Sequence, residues 1–274
     1  MKYTQIPSDT FSSMQLNAGV LLSSFDPATG IVPSNAIIGA TTGGVNFTDS
    51  IEYLDFGDDI DNCPKNMKEL KVLDSHEVKM SGTFVAVSPD TAKLLAGAAD
   101  KNGSKIVPRN DLLGTDFSDI WWVGDYSDVN TGDDAGFIAI KMINALNTGG
   151  FQIQSADKAK GQFAFEFTGH YSMSDPDVVP YEIYIKGAGD IVPSIVLNTH
   201  TETLRVGDTY QLRATVFPSG TSVTYTSSAT AKASVNASGL VTAVATGTTI
   251  VTAAITVDGV TYNDTCTIIV EAAS

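Results

Sequence analysis

From Val223 to Ile255 the chain reads VTYTSSATAKASVNASGLVTAVATGTTIVTAAI, and Lys232 is its only charge. Thr and Val branch at Cβ, which costs them side-chain freedom in a helix and suits them to a pleated sheet. Nothing in this stretch can do acid–base chemistry. The same composition continues around it: residues 191–274 contain 18 Thr among 84 residues. TYQLRATV alternates, with Tyr210, Leu212, Ala214 and Val216 on one face. ASGLV turns at Gly239, VDGV holds an Asp258–Gly259 hairpin signal, and CTIIV puts Cys266, Ile268 and Val270 on one face. Six or seven short strands with a turn every ~8–12 residues predict a small β-sandwich.

The rest of the chain has another character. Residues 1–190 carry 26 acidic and 13 basic residues, whereas 191–274 carry 5 and 3. With GAGDIVPS as the linker, this asymmetry predicts two domains, 1–190 and 191–274. The whole chain has a net charge of −15, which argues against a tight grip on nucleic acid, because that needs Lys and Arg to neutralise phosphates. Cys63 and Cys266 fall one in each half and form no CxxC pair, which fits a reducing compartment better than a disulfide framework. The opening MKYTQIPSDTFSSMQLNAGV lacks an apolar core, so no signal peptide is expected, and no run is long enough for a transmembrane span.

Within 1–190 the first ~30 residues read as loose strands and loops. IIGATTGGVNFTDSIEYLDF reads as a strand pair around Gly43 and Gly44. The polar DFGDDIDNCPKNMKELKVLDSHE reads as a long connecting loop, a length that is usually functional or disordered. VKMSGTFVAV alternates as a half-buried strand. SPDTAKLLAGAAD is a helix of about ten residues, with Ser88 to cap it, Pro89 at its first position and Asp90 in its first turn. FSDIWWVGDYSDV, GFIAIKMINALNTGG, GQFAFEFTGHYSM and YEIYIKG read as strands; in the third, Phe163, Phe165, Phe167, Tyr171 and Met173 are expected inward. The predicted fold is mainly β: a β-sandwich or barrel with one packed helix, followed by a small β-sandwich.

Motifs for chemistry are wanting. His76, His170 and His200 are scattered, in no zinc-binding spacing. DDIDNCPKNMKEL fails the calcium-loop pattern at its turn Gly and its final Glu, and DVNTGDDAG fails because Asp133 stands where the Gly belongs. GATTGG lacks the Lys and the helix of a phosphate cradle. No catalytic residue, cofactor or metal is assigned, and the chain is not read as an enzyme.

The segments LRVGDTYQLRATVFPS, VTYTSS, ASVNASGLVTAVATGTTIVTA and CTIIV resemble the bacterial Ig-like domain of group 2 (BIG2) over roughly 80 residues, with Tyr225 where that family often has Trp. Residues 1–190, with GATTGGVNF, the long loop, VKMSGTFVAVSPDTAKLLAGA and GQFAFEFTGHYS in that order, resemble the major tail tube protein of long-tailed bacteriophages.

The second resemblance implies a structural virion protein, assembled in the host cytoplasm, whose hexameric rings stack into the DNA conduit of a non-contractile tail. DNA would pass without specific binding, repelled by an acidic lumen. It also implies as partners further copies of the chain and the tail initiator or baseplate, tape-measure and terminator proteins, with no membrane insertion. The long loop would reach a neighbouring subunit through Asp55, Asp58, Asp59, Asp61, Lys65, Lys68 and Lys71, and it and the N-terminal segment would order on assembly. The Ig-like domain would sit outside, with an independent core and a hydroxyl-rich surface suited to weak contact with a host surface glycan. The rival reading is a cell-surface or virion adhesion protein that binds carbohydrate through that domain.

Overall fold

The computed structural model describes residues 10, 13–33, 35–126, 136–187 and 192–272. Most of the acidic DVNTGDDAG stretch and linker residues 188–191 lie outside these, as do residues 1–9.

The N-terminal domain is built on β1 (Gln15–Leu22), β2 (Ile37–Gly39), β3 (Thr41–Asp55), β4 (Lys71–Phe84), α1 (Pro89–Ala96), a small hairpin β5 (Ala99–Asn102) and β6 (Lys105–Pro108), β7 (Ser118–Tyr126), β8 (Gly136–Asn147), β9 (Phe163–Thr168) and β10 (Tyr181–Lys186). The main sheet runs β2-β1-β7-β8-β9-β4-β3, with β10 on the other side of β8. The long strand β8 joins its two halves: Gly136–Ala145 pair with β7, and only Leu146 and Asn147 pair with β9. Between the halves lies a core of Leu21, Val78, Met80, Phe84, Ile120, Met142, Phe165 and Phe167, closed by Leu95 of the helix. Period-2 patterning produces this, since alternate residues of β4 and β9 point into it. Gly82 leaves room for the Phe165 ring, whose edge would lie 2.7 Å from a Cβ at that position.

The helix forms as its sequence dictates. Ser88 Oγ accepts the Thr91 N–H at 3.1 Å, Pro89 opens the first turn and Gly97 ends the helix at φ 69°. Thr91 Oγ1 donates to the Ile38 carbonyl at 3.0 Å and so ties the helix to β2.

Strands β7 and β8 are buried on both faces, which explains their nearly unbroken apolar runs. On the far face Trp121, Val123, Phe137 and Ala139 form a second core beneath Phe25, Val32 and Ala36. Phe25 stands edge-on to both Trp121 and Phe137, with centroids 5.6 and 5.1 Å away.

The structure corrects four expectations. Residues 15–30 are not loose: β1 lies between β2 and β7, with Leu21 and Leu22 fully buried. Gly43 and Gly44 make no hairpin; both have positive φ and form a bulge inside β3, because β2 pairs with β1 and β3 with β4. The long loop is shorter than expected, because Lys71–Glu77 are already strand. Tyr171 and Met173 lie beyond the end of β9 and are exposed.

The C-terminal unit has nine strands rather than six or seven: β11 (Ser194–Leu197), β12 (Thr201–Arg205), β13 (Thr209–Gln211), β14 (Ala214–Phe217), β15 (Thr224–Ser227), β16 (Ala233–Val235), β17 (Leu240–Ala243), β18 (Gly247–Val257) and β19 (Val260–Glu271). A sheet β12-β19-β18-β15 faces β13-β17-β16 and the pair β11-β14 across a core of Leu212, Val241, Val251, Ile255, Cys266 and Ile268. The β18–β19 turn has Asp258 at φ 48° and Gly259 at φ 80°, the two left-handed residues of a tight hairpin. Strand β14 alternates across a boundary: Val216 packs into this core, whereas Phe217 packs against the second core of the N-terminal domain.

Candidate interaction surfaces

The β3–β4 pair is longer than the sheet that carries it. Strand β4 pairs with β9 only from Lys79 to Phe84. Below that, the Val78 carbonyl still accepts the Gly169 N–H and the His76 side chain is about nine-tenths buried, and Lys71–Ser75 pair with Glu52–Asp55 alone, as a two-stranded ribbon. At ~3.3 Å per residue its five β4 residues reach about 16 Å. The ribbon is apolar on both faces: Tyr53 is paired with Leu73 and Leu54 with Val72, and all four are about half exposed. At its end Phe56 is 61% exposed and Ile60 52%. A two-stranded ribbon is marginal in water by itself, and long apolar strand edges are sites of association.

A polar network fixes the root of the ribbon. His76 Nδ1 lies 3.0 and 2.9 Å from the two carboxylate oxygens of Asp49. The Tyr181 hydroxyl donates to the same carboxylate at 3.0 Å, so β10 holds β3. Burial, and then this bond, raise the Tyr181 hydroxyl above the usual phenol range.

The loop at the far end closes on itself through its own hydrogen bonds. Asp55 Oδ1 accepts the Gly57 N–H and Oδ2 the Asn66 N–H, both at 2.9 Å, and these two bonds hold its carboxyl below the usual range. The Phe56 N–H donates to the Leu70 carbonyl at 3.0 Å, and Asn62 and Asn66 supply left-handed turns at φ 61° and 62°. Of the seven loop residues singled out in the sequence, Asp55 and Lys71 mark the strand ends, and Lys71 lies over the Tyr53 ring at 5.0 Å. Lys65 pairs with Asp58 at 3.6 Å, and Lys68 with its neighbour Glu69 at 3.5 Å. Asp59 and Asp61 are exposed. All seven therefore lie on one projection, where Asp55 holds the loop closed and the other six are exposed. Sequence reasoning missed the apolar residues between them, although IEYLDF and LKVL flank the polar loop with apolar side chains at consecutive positions, a pattern no one-sided strand has.

A second surface is the outer face of the sheet β12-β19-β18-β15. Thr226 lies opposite Thr252, and Thr252 opposite Thr265, so three hydroxyls cross three strands in a row. Thr201 lies opposite Thr267, and Thr256 Oγ1 is 3.2 Å from Thr261 Oγ1. The inward half of the same alternation is the Cys266 and Ile268 core, which explains how a Thr-rich sequence serves a sandwich.

Among the described residues no group of three or more His, Cys, Asp or Glu is placed to hold a metal ion, and no helix is long and apolar enough to cross a membrane. Residues 191–268 match the family model of the bacterial Ig-like domain (group 2). The C-terminal sandwich is thus a bacterial Ig-like domain, joined to a second, larger β-domain with one short helix. A comparison with curated proteins finds no match for the chain.

Proposed function

We propose that this chain is a structural subunit that assembles with copies of itself, its N-terminal domain forming the wall of a phage-type tail tube and its Ig-like domain standing outside. One observation carries the reading: the β3–β4 ribbon projects beyond its sheet with apolar side chains on both faces. Its natural cover is a neighbouring subunit. The free sides of β3 and β10 support it further, since each is the last strand on its side among the described residues, and ring closure removes such edges. Ile183 and Ile185 are exposed on β10. The net charge of −15 suits a conduit through which DNA slides without being held. The initiator, tape-measure and terminator proteins of a tail, and location in the virion, follow from this reading.

A second reading, adhesion through the Ig-like domain, is favoured by the family match and by the hydroxyl rows on its outer sheet. Weak contacts repeated over many copies would give avidity.

Negative-stain electron microscopy of the concentrated full chain separates the two. Hollow tubes or six-fold rings are expected. A monomer at all concentrations that is retained by bacterial surface polysaccharide would overturn the tube reading in favour of adhesion.

A further inference from the structure

Where the two domains meet, a cleft of about 410 Å³ opens between the segment after β1 and the Ig-like sandwich. Sites for small molecules are commonly of this size and often lie between domains. Its floor is apolar: Phe25, Ile31 and Ile195 line it, and each is less than a tenth exposed. Its walls are polar but contain neither Lys nor Arg, so an anion would find no fixed positive charge.

The carboxylates in the walls do not make a cation site either. Asp264 is already committed: Oδ2 accepts the Leu197 N–H at 2.7 Å and faces His200 Nε2 at 3.0 Å, and Oδ1 accepts the Thr265 N–H at 2.7 Å. Asp26 Oδ1 accepts the Ala28 N–H at 2.8 Å, which leaves Oδ2 as the one uncommitted carboxylate oxygen of the lining. Ser24 and Asn263 also line the cleft, and neither side chain has a hydrogen-bond partner among the described residues. Donors and acceptors are therefore mixed, and they ring an apolar floor. That is the complement of a molecule with hydroxyls at its edge and C–H groups on one face.

We propose that this cleft binds one neutral sugar unit, with its C–H face on Phe25, Ile31 and Ile195 and its hydroxyls on Asp26, Ser24 and Asn263. The site is distinct from the hydroxyl rows of the outer sheet. It does not depend on tube assembly, so its failure and the failure of the tube reading are separately visible.

The test is saturation-transfer NMR on the full chain with glucose, galactose and N-acetylglucosamine. Binding of at least one is expected, at a Kd of about 1 mM. Asn263→Ala, at an exposed position, should weaken it about tenfold without unfolding the protein, and Asp26→Ala should weaken it at least as much. Equal binding of the methyl glycoside supports a glycan end as the source of the sugar, and loss of that binding supports a free sugar. No transfer from any of the three, or transfer unchanged in both variants, would overturn the proposal.

Discussion

The imidazole of His76 faces both carboxylate oxygens of Asp49, at 3.0 and 2.9 Å, at the place where the β3–β4 ribbon leaves its sheet. Both side chains are about nine-tenths buried, and Tyr181 donates to the same carboxylate. Replacing Asp49 by Ala strands two buried polar partners. The expected loss is about 1–3 kcal/mol by urea unfolding. Tyr181→Phe removes one bond and leaves the carboxylate facing His76; it should cost less, about 1 kcal/mol. Equal losses from the two variants would show that the carboxylate does not organise the ribbon root.

The ribbon end is tested by Phe56→Ser with Ile60→Ser. Both positions are more than half exposed, so stability should change by no more than ~0.5 kcal/mol per site. Assembly, read by electron microscopy and sedimentation, should be lost. Deleting Gly57–Lys68 is a harsher version, because it removes both backbone partners of the Asp55 carboxylate. It should leave a folded chain that does not stack. Normal tubes from either variant would place the interface elsewhere.

The legible parts of the fold were those in which one residue pattern meets one environment. The Phe163, Phe165 and Phe167 alternation, the Ser88-Pro89-Asp90 helix start and the Asp258–Gly259 turn need only local rules, and each appears as read. The N-terminal segment misled because its Pro, Gly and Ser suggest disorder, while its burial comes from distant Trp121 and Phe137. The nearly unbroken apolar run of β8 is legible as a buried strand, but which elements cover its two faces is not. The ribbon was half legible. Its charged loop was evident, but whether Tyr53 and Leu73 are core or surface depends on where β9 stops pairing, and that is set by tertiary structure. The junction cleft was not legible at all, since Asp26 and Asn263 lie far apart in the chain.

The two thiols should differ in reactivity. Cys266 is fully buried in the Ig-like core, and burial pushes its thiol up to about 11. Near pH 8 it stays protonated and covered, whereas Cys63 lies in the half-exposed loop. A disulfide reagent should titrate one thiol in the native chain and two in denaturant. Rapid reaction of both in the native chain would show that the sandwich opens.

Asp116 gives the N-terminal domain an acid sensitivity. Its buried carboxylate accepts the Leu113 N–H at 2.8 Å and the Arg109 guanidinium at 2.6 and 2.7 Å. The backbone bond first, and then Arg109, hold its carboxyl below the usual range. A lowered folded-state value means that this stabilisation is complete above the unfolded value of about 3.9 and is lost as pH falls through the folded one. Melting temperature should therefore fall steeply below about pH 4. Asp116→Asn should lower it at neutral pH and flatten that acid limb. An unchanged limb would assign the sensitivity to other carboxylates.

Phe217 decides how independent the two domains are. The Ig-like sandwich has a core of its own. Phe217 nonetheless crosses over to pack against the second core of the N-terminal domain, alongside Val20, Val32 and Tyr184. Ser194 Oγ also donates to the Thr29 carbonyl at 3.4 Å. Phe217→Ala should cost about 1–3 kcal/mol, below the full core value because the ring is only partly buried. Truncation after Asp190 should cost at least as much, and the loss should appear in unfolding of the N-terminal domain followed through Trp121 and Trp122 fluorescence. If the truncated chain melts with the full-length N-terminal transition, the sandwich is a passive appendage and the packing of Phe217 contributes nothing to the domain beneath it.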